Sequence, residues 1–337
     1  MEIDVIVIDS HLEFNHPEFD SRAQKFNWFK YSKKLGYETS DEYQYENIRP
    51  FKGRFGTHGT SMASIIGGNT LGIAPNVNIF NIHYNYDWYL KWKNIFYDYI
   101  IEFVKERKNP TICNLSIAWK TPKLKLDSFI SYTHRGETVS LENLSIPEKK
   151  FALMKIIPKE HFYGEEFIRY LPIRNKKIDD GVKKLIDNGI IVVGSARNSS
   201  LKVDISGGID YDNRLSRSLF GDFYLNRGSS PGCSPDIITV SSLHCGGNGP
   251  GIDYFEDGSD TLTAVKYRSV GSAVKDFRSD NHEVAYSEGT SVAAAKITGR
   301  LALELEKNPH LSQNEARTIL NKNKNGNFIA CRTCKKK

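Results

Sequence analysis

The sequence predicts an α/β fold in which an open, mostly parallel sheet carries helices on both faces. Short apolar runs rich in β-branched residues alternate with segments of helical periodicity, as expected for parallel strands joined by helical crossovers. The 337 residues can bury one large core, and no internal repeat is visible. No apolar run reaches the length of a membrane span, so we expect no membrane association.

The first predicted strand is the nearly continuous apolar run at residues 3–8, which ends on Asp9. A run of this kind is typical of a strand that is buried on both faces of a parallel sheet. Further strands are predicted at residues 78–82, 111–116, 190–193 and 235–240.

Three helices are predicted from apolar spacing and from end signals. The first has its apolar positions between Ile178 and Ile186 and ends at Asn188-Gly189. Residues 291–305 carry small side chains on every face, which predicts a central buried helix. The last helix opens with the S-x-x-E capping box of Ser312 and Glu315.

The formal charge of +6 is mild, and it is concentrated in one segment. Residues 120–177 contain twelve basic and seven acidic residues, with aromatic and histidine side chains among them. A basic and aromatic segment can bind nucleic acid, but we favour a flap that packs on the main domain and restricts its substrates. The aromatic and histidine residues of the segment include Tyr132, His134, Phe151, Phe162, Tyr163, Phe167 and Tyr170.

The five cysteines are odd in number and irregular in spacing, which argues against a disulfide framework and for a reducing compartment. Cys331 and Cys334 have the C-x-x-C spacing of a zinc site, but no second pair lies nearby, so we expect free thiols and no metal. The apolar run at residues 3–8 is too short for a secretory signal. We therefore expect a cytoplasmic protein.

Asp9 is the first candidate functional residue, because groups at the carboxyl ends of parallel strands gather at the binding edge of such sheets. An aspartate in this place can equally cap a helix or close a turn. The residue alone does not decide between these interpretations.

Three segments, taken in order, resemble the signatures of the subtilisin-like serine proteases. V-I-V-I-D-S at residues 5–10 with H-P-E-F at residues 16–19 resembles the aspartate signature, and G-T-H-G-T-S-M-A at residues 56–63 resembles the histidine signature. E-G-T-S-V-A-A at residues 288–294 resembles the serine signature, and the chain order Asp, His, Ser is that of this family. The resemblance implies a subtilisin-like three-layer sandwich and a serine endopeptidase.

The resemblance assigns a catalytic triad to Asp9, His58 and Ser291. Ser291 would be the nucleophile and His58 the base that takes its proton, while Asp9 would orient the imidazole and stabilise its charged form. Residues 189–198 resemble the strand and loop that deliver an oxyanion-hole asparagine, which is Asn198 here. The alternative is that Asn198 caps the turn at residues 199–200.

Two segments are predicted to bind substrate by the same resemblance. Residues 114–118 resemble the strand that pairs with an extended peptide, although an ordinary core strand would also explain Ile112 and Leu115. The predicted substrate-binding residues are Ser116, Ile117, Ala118, Ser195, Ala196 and Arg197.

Three residues depart from the family pattern. His11 stands two residues after the aspartate where a glycine is usual, Ala295 replaces a proline after the serine, and Arg197 replaces a glycine before the asparagine. Arg197 can favour an acidic side chain at the P1 position of a substrate, or it can point into solvent. The connection at residues 69–71 is too short for the calcium loop of many relatives, so neither calcium nor another cofactor is predicted.

We expect one peptidase domain over residues 1–325, with the basic insertion at about 120–177 and a loosely ordered tail at 326–337. Asp9 lies too near the start for a signal peptide and a pro-domain, so we expect narrow specificity or a regulatory protein partner to control an intracellular enzyme. Two roles fit, peptide maturation and a partner-activated defence or toxin effector. A peptide ligase or macrocyclase, and a catalytically silent binding protein, are the alternatives.

Overall fold

The structure is a computed structural model that describes residues 1–36, 58–83, 95–117, 121–198, 201–204, 206–218, 221–243, 261–264, 267–270, 284–287 and 289–322. Ala118, the pair Cys331 and Cys334, and the predicted tail lie outside these ranges. No helix of the described part is long and apolar enough to cross a membrane.

The strands of the described ranges are, in chain order, β1 (Asp4–Asp9), β2 (Ala23–Lys25), β3 (Asn78–His83), β4 (Thr111–Leu115), β5 (Leu124–Lys125), β6 (Phe129–His134), β7 (Glu137–Ser140), β8 (Phe162–Tyr163), β9 (Phe167–Ile168), β10 (Ile191–Ser195), β11 (Arg214–Arg217), β12 (Gly221–Tyr224), β13 (Ile238–Leu243), β14 (Thr261–Ala264), β15 (Tyr267–Val270) and β16 (Val284–Ser287). The helices are α1 (Trp28–Lys34), α2 (His58–Gly67), α3 (Ile95–Arg107), α4 (Ile146–Leu153), α5 (Lys176–Asp187), α6 (Thr290–Lys307) and α7 (Gln313–Lys322).

The central sheet has seven strands in the order β14-β13-β10-β4-β1-β3-β2, and every pairing in it is parallel. The predicted α/β class is therefore confirmed, and the five predicted strands are present with ends shifted by at most three residues. β1 lies between β3 and β4, with Asp9 opposite His83 and Ile8 opposite Leu115. The carboxyl ends of these three strands meet at one edge of the sheet.

Successive side chains of β1 enter two different cores, because neighbouring residues of a strand point to opposite faces. Val5 and Val7 pack with residues of α2 and α6, whereas Ile6 and Ile8 pack with residues of α1, α3 and α5. Every residue of β1 is buried, as its continuous apolar run predicts.

The small side chains of α6 allow it to pack closely against α2. A Cβ on Gly299 would lie 2.9 Å from the Cβ of Ile73 and 3.0 Å from the carbonyl oxygen of Ile66, so only glycine permits this approach. The prediction of a central buried helix is confirmed. The capping box of α7 is also confirmed, since the Ser312 N–H donates to Glu315 and the Glu315 N–H donates back to the Ser312 hydroxyl.

Residues 121–173, 201–204, 206–218 and 221–226, which we call the insertion module, form a separate hydrophobic core. The module contains a four-stranded sheet of order β12-β11-β6-β7 and a three-stranded sheet of order β5-β9-β8. The core therefore joins the basic segment to a second segment that lies after β10. Its buried members are Leu126, Phe129, Tyr132, Leu141, Leu153, Ile157, Ile168, Leu171, Leu215 and Leu225.

Asp210 links the two segments of the insertion module. Its carboxylate accepts a hydrogen bond from Nε of Arg135 at 2.8 Å and pairs with Nζ of Lys202 at 2.7 Å. Burial alone would raise the pKa of Asp210, but the hydrogen bonds from Arg135, Lys202 and Asn213 hold it well below its usual range. The carboxylate thus stays charged and keeps the turn after β6 attached to the second segment.

Candidate active site

Asp9 and His58 form the first pair of the site. Asp9 is the last residue of β1 and is almost fully buried, and its Oδ1 lies 2.7 Å from Nδ1 of His58. The same oxygen accepts the Ser10 N–H at 2.6 Å. With Nδ1 donating to the carboxylate, the lone pair of the imidazole is on Nε2, the nitrogen that a general base uses.

Gly59 allows α2 to approach the end of β1. A Cβ at this position would lie 2.4 Å from the carbonyl oxygen of Ser10 and 2.8 Å from that of His11. The Gly59 N–H donates to the Ser10 hydroxyl at 2.8 Å. This close approach places His58, the first residue of α2, beside Asp9.

The ionisation of His58 is set by two opposing effects. Burial lowers the pKa of its imidazole, but the negative charge of Asp9 and the hydrogen bond to it raise the pKa more, so the net change is upward from 6.5. The charged form of His58 is therefore stabilised at the position where a base must hold a proton during a reaction.

Ser291 is the second residue of α6, and its relative exposure is 9%. Amides in the first turn of a helix have no carbonyl partner within the helix, and the helix dipole favours negative charge there. Gly289 precedes the helix with a φ of 114°, a conformation that favours glycine. The backbone N–H of Ser291 is thus suited to bind an oxyanion.

Asn198 contacts the residue next to Ser291. Its Oδ1 accepts both the N–H and the hydroxyl of Thr290, each at 3.0 Å. The carbonyl end of the amide is thereby held against the start of α6, and Nδ2 is the end that remains to donate to a ligand. The residues of the alternative turn, 199 and 200, lie outside the described ranges.

Arg197 connects this loop to the insertion module. Its Nη1 donates to the Ser229 hydroxyl at 3.0 Å, its Nη2 donates to the carbonyl oxygen of Tyr170, and its N–H donates to the Thr290 hydroxyl at 3.2 Å. Its φ of 102° lies where glycine is favoured, which explains why the family pattern has glycine at this position. The guanidinium contacts compensate for the backbone strain.

The subtilase family model matches residues 2–332, nearly the whole chain. The chain belongs to the subtilase family. Membership makes it a serine endopeptidase.

Two solved structures have the same fold as this subtilase. A cold-adapted subtilisin-like serine proteinase is 16% identical, with a TM-score of 0.53, and the match covers 97% of this chain and 84% of that one. A prenylagaramide maturation protease, PagA, is 14% identical, with a TM-score of 0.50 and coverage of 97% and 88%. At such identities the likeness concerns the fold, and the predicted subtilisin-like architecture is confirmed. No curated protein matches the sequence.

A buried chain of hydrogen bonds ties the end of β4 to the helix of Ser291 in this subtilase. The Ser116 hydroxyl donates to the carbonyl oxygen of Ser291 at 3.4 Å and accepts from Nδ2 of Asn114 at 2.9 Å. Oδ1 of Asn114 accepts the Thr298 hydroxyl at 3.0 Å. The sequence motifs indicate no role for Asn114 or Thr298, although an asparagine within an apolar strand is a signal of such a buried network.

The remaining predicted substrate-binding residues differ in exposure. Ser195 and Ala196 are buried, and the Ala196 N–H donates to the carbonyl oxygen of Val240 at 2.9 Å. A Cβ on Gly232 would lie 1.9 Å from the carbonyl oxygen of Ser195, so this backbone is closely packed. Ile117 is half-buried after the end of β4, and Ala118 lies outside the described residues.

His11, a departure from the family pattern, packs against two rings. Its ring centroid lies 6.0 Å from that of Phe14 and 6.4 Å from that of His83. Burial, and then the nearby His11, lower the pKa of His83 to about 4, so His83 is neutral at physiological pH. His83 therefore places no second positive charge beside the Asp9 carboxylate that pairs with His58. Ala295, the other departure, is fully buried in the core.

The short connection at residues 69–71 is held by protein groups. The Glu18 carboxylate accepts the Thr70 N–H at 3.0 Å and the Leu71 N–H at 3.2 Å, and it also accepts the Thr70 hydroxyl. Nη1 of Arg22 donates to the carbonyl oxygen of Gly67 at 2.9 Å. These contacts close the turn that follows α2.

Proposed function

We propose that this subtilase hydrolyses peptide bonds through an acyl-enzyme formed on Ser291. The observation that carries the proposal is the 2.7 Å hydrogen bond between Asp9 and His58 at the carboxyl end of β1. His58 takes the Ser291 hydroxyl proton as the oxygen attacks the substrate carbonyl carbon, and then gives this proton to the leaving amine. Water, activated in the same way, releases the acyl group and restores Ser291.

The proposed oxyanion hole consists of the backbone N–H of Ser291 and Nδ2 of Asn198. The oxygen of the Asn198 side chain is occupied by Thr290, which fixes the amide plane before substrate binds. A fixed donor needs no reorganisation when charge develops on the substrate, and this preorganisation is the source of its effect. Calcium or another cofactor has no part in the proposed chemistry.

The proposed substrate cleft lies between the end of β4 and the loop after β10. Ser116 and Ile117 lie in one proposed wall, where an extended peptide can add as a strand. Ser195, Ala196 and Arg197 form the other wall. Since the Arg197 guanidinium contacts Ser229 and Tyr170, we do not assign it to an acidic P1 side chain.

The proposed biological role is that of a cytoplasmic processing protease with narrow specificity, either in peptide maturation or as a partner-activated effector in defence. Two observations support it: the buried Cys113 forms no disulfide, and the insertion module is joined through Arg197 to the loop that carries Asn198. The likeness to a maturation protease agrees with the first setting.

The decisive test is mass spectrometry of a diverse peptide pool after incubation with the wild type and with Ser291→Ala. We expect new termini with the wild type only, and the residues flanking the cut define the specificity. Joined or cyclic products would instead identify a ligase or macrocyclase. A wild type that is not labelled by a fluorophosphonate would identify a silent binding protein and contradict the proposal.

A further inference from the structure

The three-stranded sheet of the insertion module has one buried and one exposed face. Leu124 lies opposite Ile168, and Phe162 lies opposite the same residue from the other side. All three belong to the module core or pack against it. Because side chains alternate along a strand, the neighbouring residues of β5, β8 and β9 point outward.

The outward-pointing side chains form what we call the basic–aromatic face. Lys125 and Tyr163 both lie opposite Phe167 in the ladder. One step further along, Lys123 precedes β5 and Arg169 follows β9. The face consists of Lys123, Lys125, Tyr163, Phe167 and Arg169.

The cations of this face are layered on exposed aromatic rings. Nζ of Lys123 lies 3.5 Å from the ring centroid of Tyr163, and the Arg169 guanidinium lies 5.1 Å from the same centroid and 4.7 Å from that of Tyr170. Tyr163 is 44% exposed and Tyr170 is 38% exposed. Contacts of this kind orient a cation without neutralising its charge.

No carboxylate pairs with these cations within the described part of the chain. Other lysines of the module and of the neighbouring helix do form such pairs, for example Lys150 with Glu165 and Lys176 with Asp180. Lys123, Lys125 and Arg169 therefore present three positive charges that an external anion can pair with.

The basic–aromatic face lies beside the candidate active site. Tyr170 follows Arg169 directly, and its carbonyl oxygen accepts a hydrogen bond from Arg197. Arg197 in turn precedes Asn198 and contacts Thr290 through its backbone. Arg169, at one end of the face, is thus linked to the loop of Asn198 through Tyr170 and Arg197.

We propose that the basic–aromatic face is a recognition surface for an acidic stretch of the peptide substrate, away from the bond that is cut. The inference rests on the proposed function in one respect, that the bound peptide is a substrate. Carboxylates of the peptide pair with the three cations, and its apolar or aromatic side chains pack on Tyr163 and Phe167. Three cations offer few phosphate contacts, so the surface fits a short acidic stretch of a peptide better than the continuous charge of a nucleic acid.

Binding is tested on the full chain with Ser291→Ala, which separates recognition from cleavage. The probe is a fluorescein-labelled peptide of alternating Glu and Tyr, followed by anisotropy at low and at physiological salt. We expect binding that weakens with salt, and a loss of about tenfold or more when Lys123, Lys125 and Arg169 are all replaced by Ser. The matched control replaces Lys176, Lys183 and Lys184 of α5 by Ser, which removes the same charge outside the face.

Absence of binding, or an equal loss in the control variant, would overturn the proposal. Tighter binding of a labelled single-stranded oligouridylate than of the peptide, at the same salt, would overturn the assignment to a peptide. Thermal unfolding of both triple variants shows that they are folded.

A second measurement uses the active chain and two peptides with the same cleavable core, one of which carries an acidic extension. We expect the extension to raise kcat/KM by about tenfold in the wild type and in the control variant, and the ratio to fall towards one in the face variant. If neither peptide is cleaved while the acidic peptide still binds, the proposed function fails and the recognition surface stands.

Discussion

Arg197 donates a hydrogen bond from its guanidinium to the backbone carbonyl oxygen of Tyr170. The contact joins the loop that carries Asn198 to the insertion module, and a second bond to Ser229 fixes the guanidinium. Because the backbone of Arg197 has a φ of 102°, the loop conformation depends on contacts that compensate for the strain. Arg197 is therefore a positioning residue for Asn198.

Arg197→Ala should lower kcat by about tenfold and leave KM nearly unchanged, because a displaced Asn198 amide binds the oxyanion less well. Asn198→Ala should lower kcat by about 100- to 1,000-fold. In the double variant, the Arg197 substitution should add little, since both changes act on one donor. Steady-state kinetics of the four proteins measures this, and additive losses would show that Arg197 acts independently of Asn198.

The pH dependence of kcat/KM should reflect the raised pKa of His58. A base must be neutral, so activity should fall as the pH drops through this pKa, with a midpoint above the ordinary value of 6.5. Asp9→Asn removes both effects that raise the pKa and leaves burial, which lowers it. The midpoint of the variant should therefore move to lower pH, and kcat should fall by about 10,000-fold. An unchanged midpoint would contradict the assigned pair.

Gly59→Ala should reduce kcat by about 100-fold, because the new Cβ collides with the Ser10 carbonyl and displaces His58 from Asp9. Ser64→Ala on the same helix is the control, since it removes only a hydroxyl that donates to the Ser61 carbonyl oxygen. It should retain most of the activity. Wild-type kcat in Gly59→Ala would show that the approach of α2 does not set the geometry of the pair.

Glu18→Gln should lower the melting temperature, because the carboxylate accepts two backbone N–H groups and a hydroxyl of the turn after α2. The loss is about 1–3 kcal/mol of unfolding free energy. Adding the chelator EGTA should leave the melting temperature of the wild type unchanged, because we propose that no calcium holds this turn. A marked decrease with EGTA would reveal a bound cation.

Local sequence patterns predicted much of the central sheet. The continuous apolar run of β1 has only one stable placement, between helices on both faces, and α6 needs a buried position because its side chains are small. For the insertion module, the sequence predicted only a basic flap. The core of the module brings together residues that are distant in the chain, such as Leu153 and Leu215. The periodicity of apolar residues within one segment cannot predict a contact with another segment.

The amino-acid sequence by itself determined the family, the fold class and the candidates Asp9, His58, Ser291 and Asn198, because each lies in a short motif where a turn or helix start demands particular residues. Only the tertiary structure decided what Arg197 contacts, how Asn114 and Thr298 reach Ser116, and which cations of the module stand together. These relations join side chains from separate segments. Their distances depend on how helices and sheets pack, and packing is a property of the whole folded chain.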